Sequence, residues 1–385
     1  MSSIAAPGAT TVLAHSGAFE TVATGLDNPR GLVPLGEDRL AVAEAGHAGP
    51  VCIGPGLCLG LNGQVTSLGL GDRDRTVLAS GLPSISGAFG AFGLGGIALH
   101  DRKLYFVVGL NPQSFGDPAV DCQGQADYNS CVATVTTTQR QSGFLNQVRS
   151  VHSNHGWDHV AGVGRFDFDY AVAHPDPGNP EYQPGDANPF GVTAGPAGGF
   201  YVVDAASNTL DFVSSRGVIN VLAFIPDPPN HQPIYDAAPT CAARTPNGDV
   251  YIGTETNSLW RWDGRALTKV LSGGKLGQVI GCVADRHGNI YLANLSSMIR
   301  GTFPNFNEKP FDGSIVKVTP RLTTSYVATG LNYPTGLTLD EAGTLYVALN
   351  GLCPKDLSLL NSQNSPPGAC PEPGKVVRLR LEGDD

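Results

Sequence analysis

The 385-residue chain carries 50 glycines, 29 prolines and a formal net charge of −10. Its 24 basic residues face 34 acidic ones without any basic run, which excludes binding to nucleic-acid phosphates or to an anionic membrane surface, both of which need clustered Lys and Arg. No stretch approaches the roughly 18 consecutive apolar residues of a transmembrane helix, so none is predicted.

Residues 1–17, beginning Met1-Ser2-Ser3-Ile4, have neither the basic nor the apolar region of a signal peptide. That start fits a cytosolic protein or one whose signal peptide is missing from the sequence, and the second is favoured; the segment is expected to be flexible. Residues 18–385 are expected to form a single domain. Phe19-Glu20-Thr21-Val22-Ala23-Thr24-Gly25 opens it as a strand.

A phrase then recurs: a short entry with Pro or Gly, a hydrophobic run, a glycine turn, and a second run of the Leu-Tyr-Val-Ala type. Its copies begin at Pro29-Arg30-Gly31-Leu32, Gly95-Gly96-Ile97, Pro189-Phe190-Gly191-Val192, Pro239-Thr240-Cys241-Ala242, Ile280-Gly281-Cys282-Val283 and Pro334-Thr335-Gly336-Leu337. A spacing of roughly 40–50 residues built from short strands and glycine turns is the signature of a β-propeller, one copy per blade. The fold class expected is therefore all-β, a six-bladed propeller. Tyr326-Val327-Ala328-Thr329-Gly330 repeats the opening segment, so residues 18–24 should be the outermost strand of the last blade, beside Val376-Val377-Arg378-Leu379. That pairing would close the ring and remove its open edges. The gap after the second copy, 111–185, is longer than a blade requires and is expected to form an insertion over one face, a lid at the channel mouth.

The cysteines fall in pairs: Cys52 with Cys58, Cys122 with Cys131, Cys241 with Cys282, and Cys353 with Cys370. Three pairs sit in Gly/Pro-rich loops and one spans neighbouring inner strands. Four disulfides are expected, with separate buried thiols as the alternative, and disulfides imply an oxidising, secretory compartment. The sequon Asn294-Leu295-Ser296 agrees with it, making Asn294 a glycosylation candidate.

In a propeller the entries of the inner strands converge on the axis. Here they carry Asn28-Pro29, Asn188-Pro189, Asn332-Tyr333-Pro334, Tyr235-Asp236, Gln278 and Arg30. Such a polar funnel suits a small ligand or a calcium ion held by amide and carboxylate oxygens; the alternative is that Asn before Pro simply forms turns. His152, His155 and His159 with Asp158 raise a zinc reading, set against a loop in which a histidine or Trp157 touches a ligand and against a plain solvated loop. No nucleophile elbow, metalloprotease helix, phosphate-binding loop or dinucleotide fingerprint is present, and no redox cofactor is expected.

Residues 21–32, 42–46, Gly164-Arg165-Phe166-Asp167-Phe168-Asp169-Tyr170-Ala171 and Asp186-Ala187-Asn188-Pro189-Phe190-Gly191 resemble the scytonemin-cluster propeller family. Fungal relatives of this outline are similar to hetero-Diels–Alderases of tropolonic sesquiterpenoid pathways. The resemblance implies a secreted, glycosylated, cofactor-free propeller that joins small hydrophobic substrates by cycloaddition. On that expectation Asp236, Tyr235 or His155 assists loss of water to unmask a diene. Trp157, Phe190, Tyr333 and Phe92 hold the reactants, with Asn188, Asn332, Gln278 and Arg30 as further substrate contacts. Two other readings stand beside it: a binding propeller without turnover, and a calcium-dependent lactone hydrolase. The latter resembles gluconolactonase and paraoxonase and would enlist Glu44, Asn188, Asn332 and Asp236.

Overall fold

The computed structural model describes residues 19–54, 57–71, 74–87, 90–111, 113, 115–152, 156–174, 185–228, 237–297, 310–352 and 372–381. Their strands make six antiparallel sheets, five of four strands and the first of six. It is an all-β fold of the propeller type. The first strands of the sheets are Pro29–Pro34, Leu94–His100, Pro189–Ala194, Pro239–Arg244, Val279–Ala284 and Leu337–Leu339.

Second strands read as unbroken apolar runs, because both of their faces are covered. In the first sheet Ala41 and Ala43 pack against Leu94, Ile97 and Leu104 of the second. The alternate residues Leu40 and Val42 pack against Tyr346, Ala348 and Val376 of the last. Period-2 alternation thus survives in the geometry but vanishes from the sequence, where both sets are hydrophobic.

First strands touch their neighbours in cyclic order, from the first sheet through the sixth and back to the first. They approach closely enough to demand glycine at the seams. A Cβ on Gly281 would meet the Thr335 carbonyl, and one on Gly336 would meet the Arg30 carbonyl. Thr335 Oγ1 donates to the Pro29 carbonyl at 2.8 Å across the seam between last and first sheets. Strand Glu20–Leu26 lies outermost in the sixth sheet, paired with Gly374–Arg380, as the repeated Val-Ala-Thr-Gly phrase predicts. Arg378 clasps Glu20 there with two guanidinium nitrogens, at 2.8–2.9 Å.

Three disulfides join Cys52 to Cys58, Cys122 to Cys131 and Cys241 to Cys282; the pair Cys353 and Cys370 lies outside the described residues. Cys241 and Cys282 bridge neighbouring first strands across a sequence separation of 41. Replacing both with alanine is expected to cost about 2–4 kcal/mol, mostly through a freer unfolded chain, measurable by urea denaturation. An unchanged midpoint would show that strand packing alone holds that seam.

The long insertion is not a lid throughout. Residues Leu145–Val148 and Trp157–Ala161 are the outer two strands of the second sheet. The true additions are helices α1 (Pro118–Asp121), α2 (Tyr128–Gln141) and α3 (Val163–Ala173). Helix α2 is started by the Asp127 side chain, which accepts from the Ser130 amide at 3.0 Å. Its Cys131 and Val135 pack with Phe115 and Cys122 against Val51, Leu59 and Ile85 of the first sheet.

Candidate active site at the axial mouth

The six first strands enclose a central cavity of about 70 Å³, bounded by Arg30, Phe190, Ile280, the Cys241 and Cys282 pair, and the strand backbones. That volume holds a few water molecules and falls well short of the roughly 300 Å³ at which pockets for drug-sized ligands begin. A substrate of any size must therefore dock at the mouth and send only a small group inward.

Arg30 is the charge at that place. It is buried, 4% exposed, and its Nη2 donates to the Ala91 carbonyl, while Nη1 is enclosed without a partner. Burial pushes the guanidinium down to about 9, opposed by the nearby Glu255 carboxylate, so it remains a cation at neutral pH. Glu255 follows the second strand of the fourth sheet, Val250–Thr254, and its amide donates to the Ala238 carbonyl at 3.1 Å. Gln278, just before the fifth sheet, donates Nε2 to Glu255 Oε2 at 3.2 Å and leaves its buried Oε1 unpartnered. Buried polar atoms without partners are uncommon, and here two of them accompany one carboxylate at the entry to the axis.

The other expected residues divide. Phe190 borders the cavity and packs against Tyr333, Ile280, Leu295 and Leu352. Phe92 follows Ala91, the acceptor for Arg30, and pairs with Ile85. Asn188 Oδ1 accepts the Leu110 amide at 3.0 Å and Asn332 Oδ1 accepts the Phe311 amide at 3.3 Å, so both amides anchor loops rather than facing a ligand. Trp157 is corrected: it lies on the outermost strand of the second sheet, edge-on to Phe106 and His159, packed on the core beside Val151. Tyr235, Asp236 and His155 lie outside the described residues. Of the other two histidines in the zinc reading, His159 is stacked on Phe144 and bonded through Nδ1 to Asn146 Oδ1 at 2.9 Å; no group of three ligand-type residues fit for a metal occurs among the described residues.

Asn294 is corrected as well. It is fully buried, and its Nδ2, the atom a glycan would occupy, donates to the Lys275 carbonyl at 2.9 Å and Ser314 Oγ at 3.0 Å. The sequon is a strand residue in a satisfied core.

Glu255 is a site residue that the sequence does not single out. Its only sequence signal is an acidic residue placed immediately after a second-strand run. A second unforeseen group lies off the axis, where Asp167 of α3 meets Asp204 and Asp211 of the third sheet, all three fully buried. Burial raises Asp204 above the usual carboxylate range, opposed by the amides of Asn188, Ala206 and Ser207, which its Oδ1 accepts at 2.7–3.0 Å. Burial, with those neighbouring carboxylates, raises Asp167 well above the usual range, and burial pushes Asp211 up to about 8 against the Thr209 hydroxyl it accepts.

The chain matches no protein-family model and no curated protein. Solved structures do resemble it. One is a structural-genomics protein of unknown function from Bacteroides thetaiotaomicron, with 10% identity over 95% of this chain and 73% of that one and a TM-score of 0.52. Another is the calcium-binding protein regucalcin from Agrobacterium tumefaciens, with 12% identity over 94% of each chain and a TM-score of 0.53. At such identities the likeness is one of fold, and it defines this chain as a β-propeller.

Among the described residues, those enlisted for a calcium ion are committed elsewhere. Glu44 is occupied: Oε2 accepts the Asp27 amide at 2.7 Å, and Oε1 accepts Gln64 at 2.9 Å and the Thr66 hydroxyl. The amide oxygens of Asn188 and Asn332 are committed to backbone, and the buried Arg30 cation opposes a second positive charge at the same mouth.

Proposed function

We propose that the chain closes into a six-bladed propeller between strands 20–26 and 374–380 and acts as an enzyme on a small oxygenated molecule at the axial mouth. The convergence of the unpartnered Arg30 Nη1 and Gln278 Oε1 beside Glu255 carries this reading. The three disulfides support secretion into an oxidising compartment.

Cleavage of a cyclic ester by water uses this set best. Arg30 Nη1 donates to the carbonyl oxygen as it becomes an oxyanion, and Glu255 takes a proton from the attacking water. The acyl C–O bond then breaks, Glu255 returns the proton to the leaving alkoxide, and a hydroxy acid results. This is the lactone-hydrolase class without a step through calcium. Glu255→Gln should lower kcat by about 10²–10⁴-fold, the usual worth of a general base. Activity on a panel of small lactones should survive chelation; loss to chelator with recovery on added calcium would replace this mechanism by the metal-dependent one. A folded protein that opens no lactone would overturn the hydrolase reading.

Cofactor-independent cycloaddition is the second reading. It draws support from the apolar wall of Phe190, Tyr333, Ile280 and Leu352 beside the cavity, where Arg30 could polarise a substrate oxygen while the wall aligns the reactants.

A further inference from the structure

We infer that the axial mouth recognises a small hydroxy-carboxylate, the ring-opened form of the proposed substrate; the inference rests on that reading and specifies its ligand. Arg30 spends Nη2 on the Ala91 carbonyl and keeps Nη1 buried and unpartnered. A desolvated cation with a spare donor gains more from an anionic oxygen than from a neutral one, because charge-assisted hydrogen bonds are about twice as strong. Gln278 reads the other end. Its Nε2 must face the Glu255 carboxylate, which can only accept, so Oε1 is left as an acceptor in need of a donor. A hydroxyl is the neutral donor that matches it. Arg30 also borders the cavity of about 70 Å³, which admits no more than one small end of a ligand.

Glycolate is the smallest probe that carries both groups. Calorimetry on the intact chain should show glycolate binding at least about tenfold more tightly than acetate, because acetate leaves Gln278 Oε1 unpaired, and no binding of ethylene glycol. Arg30→Met and Arg30→Lys should each weaken glycolate by about tenfold or more. Gln278→Leu should bring glycolate and acetate to equal affinity. The wild-type comparison of three probes stands even where a variant fails to fold. Equal binding of glycolate, acetate and chloride, or binding of none, would overturn the inference. Glycolate preference without lactone turnover would remove the hydrolase reading and leave the recognition intact. Lactone turnover without glycolate preference would do the reverse.

Discussion

Arg30→Met should reduce kcat by about 10²–10³-fold, the cost of losing one oxyanion donor from a preorganised site, and should also lower the thermal midpoint. The two effects have separate causes. Arg30 is buried and desolvated, with one terminal nitrogen unpartnered, so the folded state bears the cost of holding a charge out of water. Removing the cation alone, however, leaves the buried Glu255 carboxylate without its nearby counter-charge, and breaking a buried pair from one side costs about 3–5 kcal/mol. The Ala91 carbonyl also loses its donor at about 1–3 kcal/mol. A residue retained only for packing and charge balance would cost stability with no loss of kcat in the protein that remains folded. Kinetics below the melting range, set beside thermal melts, therefore decide the role of Arg30.

Stability should fall as pH rises from about 4 to about 8, through the carboxyl group formed by Asp167, Asp204 and Asp211. An aspartate in the unfolded chain titrates near 3.9, while burial pushes Asp211 in the folded protein up to about 8 and raises Asp167 with it. Between those values the folded state binds more protons than the unfolded one. The contribution is therefore complete below about pH 4 and lost as pH passes the folded value. Its upper bound is on the order of 6 kcal/mol, at about 1.4 kcal/mol per pH unit over about four units. Asp211→Asn isolates it from other acids, since an amide can donate to a neighbouring carboxylate at any pH, as the protonated acid does. Its melting curve should be flatter between pH 5 and 8 and should exceed wild type at pH 8. Parallel curves for the two proteins would show that the group is ionised throughout.

Much of the architecture is legible in the chain itself. Turn glycines and the Leu-Tyr-Val-Ala phrase mark strand boundaries because turn geometry is local, and Cys241 and Cys282 are recognisable partners because they hold equivalent places in successive copies. The second sheet was harder. Trp157 and His159 belong to its outermost strand, yet that strand and its partner Leu145–Val148 are separated from the inner two strands by α1 and α2, so the spacing that identifies a blade is broken there. The site was least legible. Asn188 and Asn332 looked like ligand groups because Asn at a strand entry serves turns and sites alike; only the positions of the Leu110 and Phe311 amides show where those side chains are committed. Glu255 and Gln278 come from different sheets, and nothing in their local sequence announces the contact.

The pairing of 20–26 with 374–380 also sets an order in time. A ribosome must finish residues 374–380 before the strand made first can find its neighbour, so the flank that presents Leu40, Val42 and Leu68 to Tyr346 and Val376 stays uncovered through most of synthesis. During that interval the nascent chain offers an apolar sheet face to any other protein. Shortening the interval, by supplying residues 374–381 ahead of residue 20 in a circular permutant, should improve yield without altering the finished molecule.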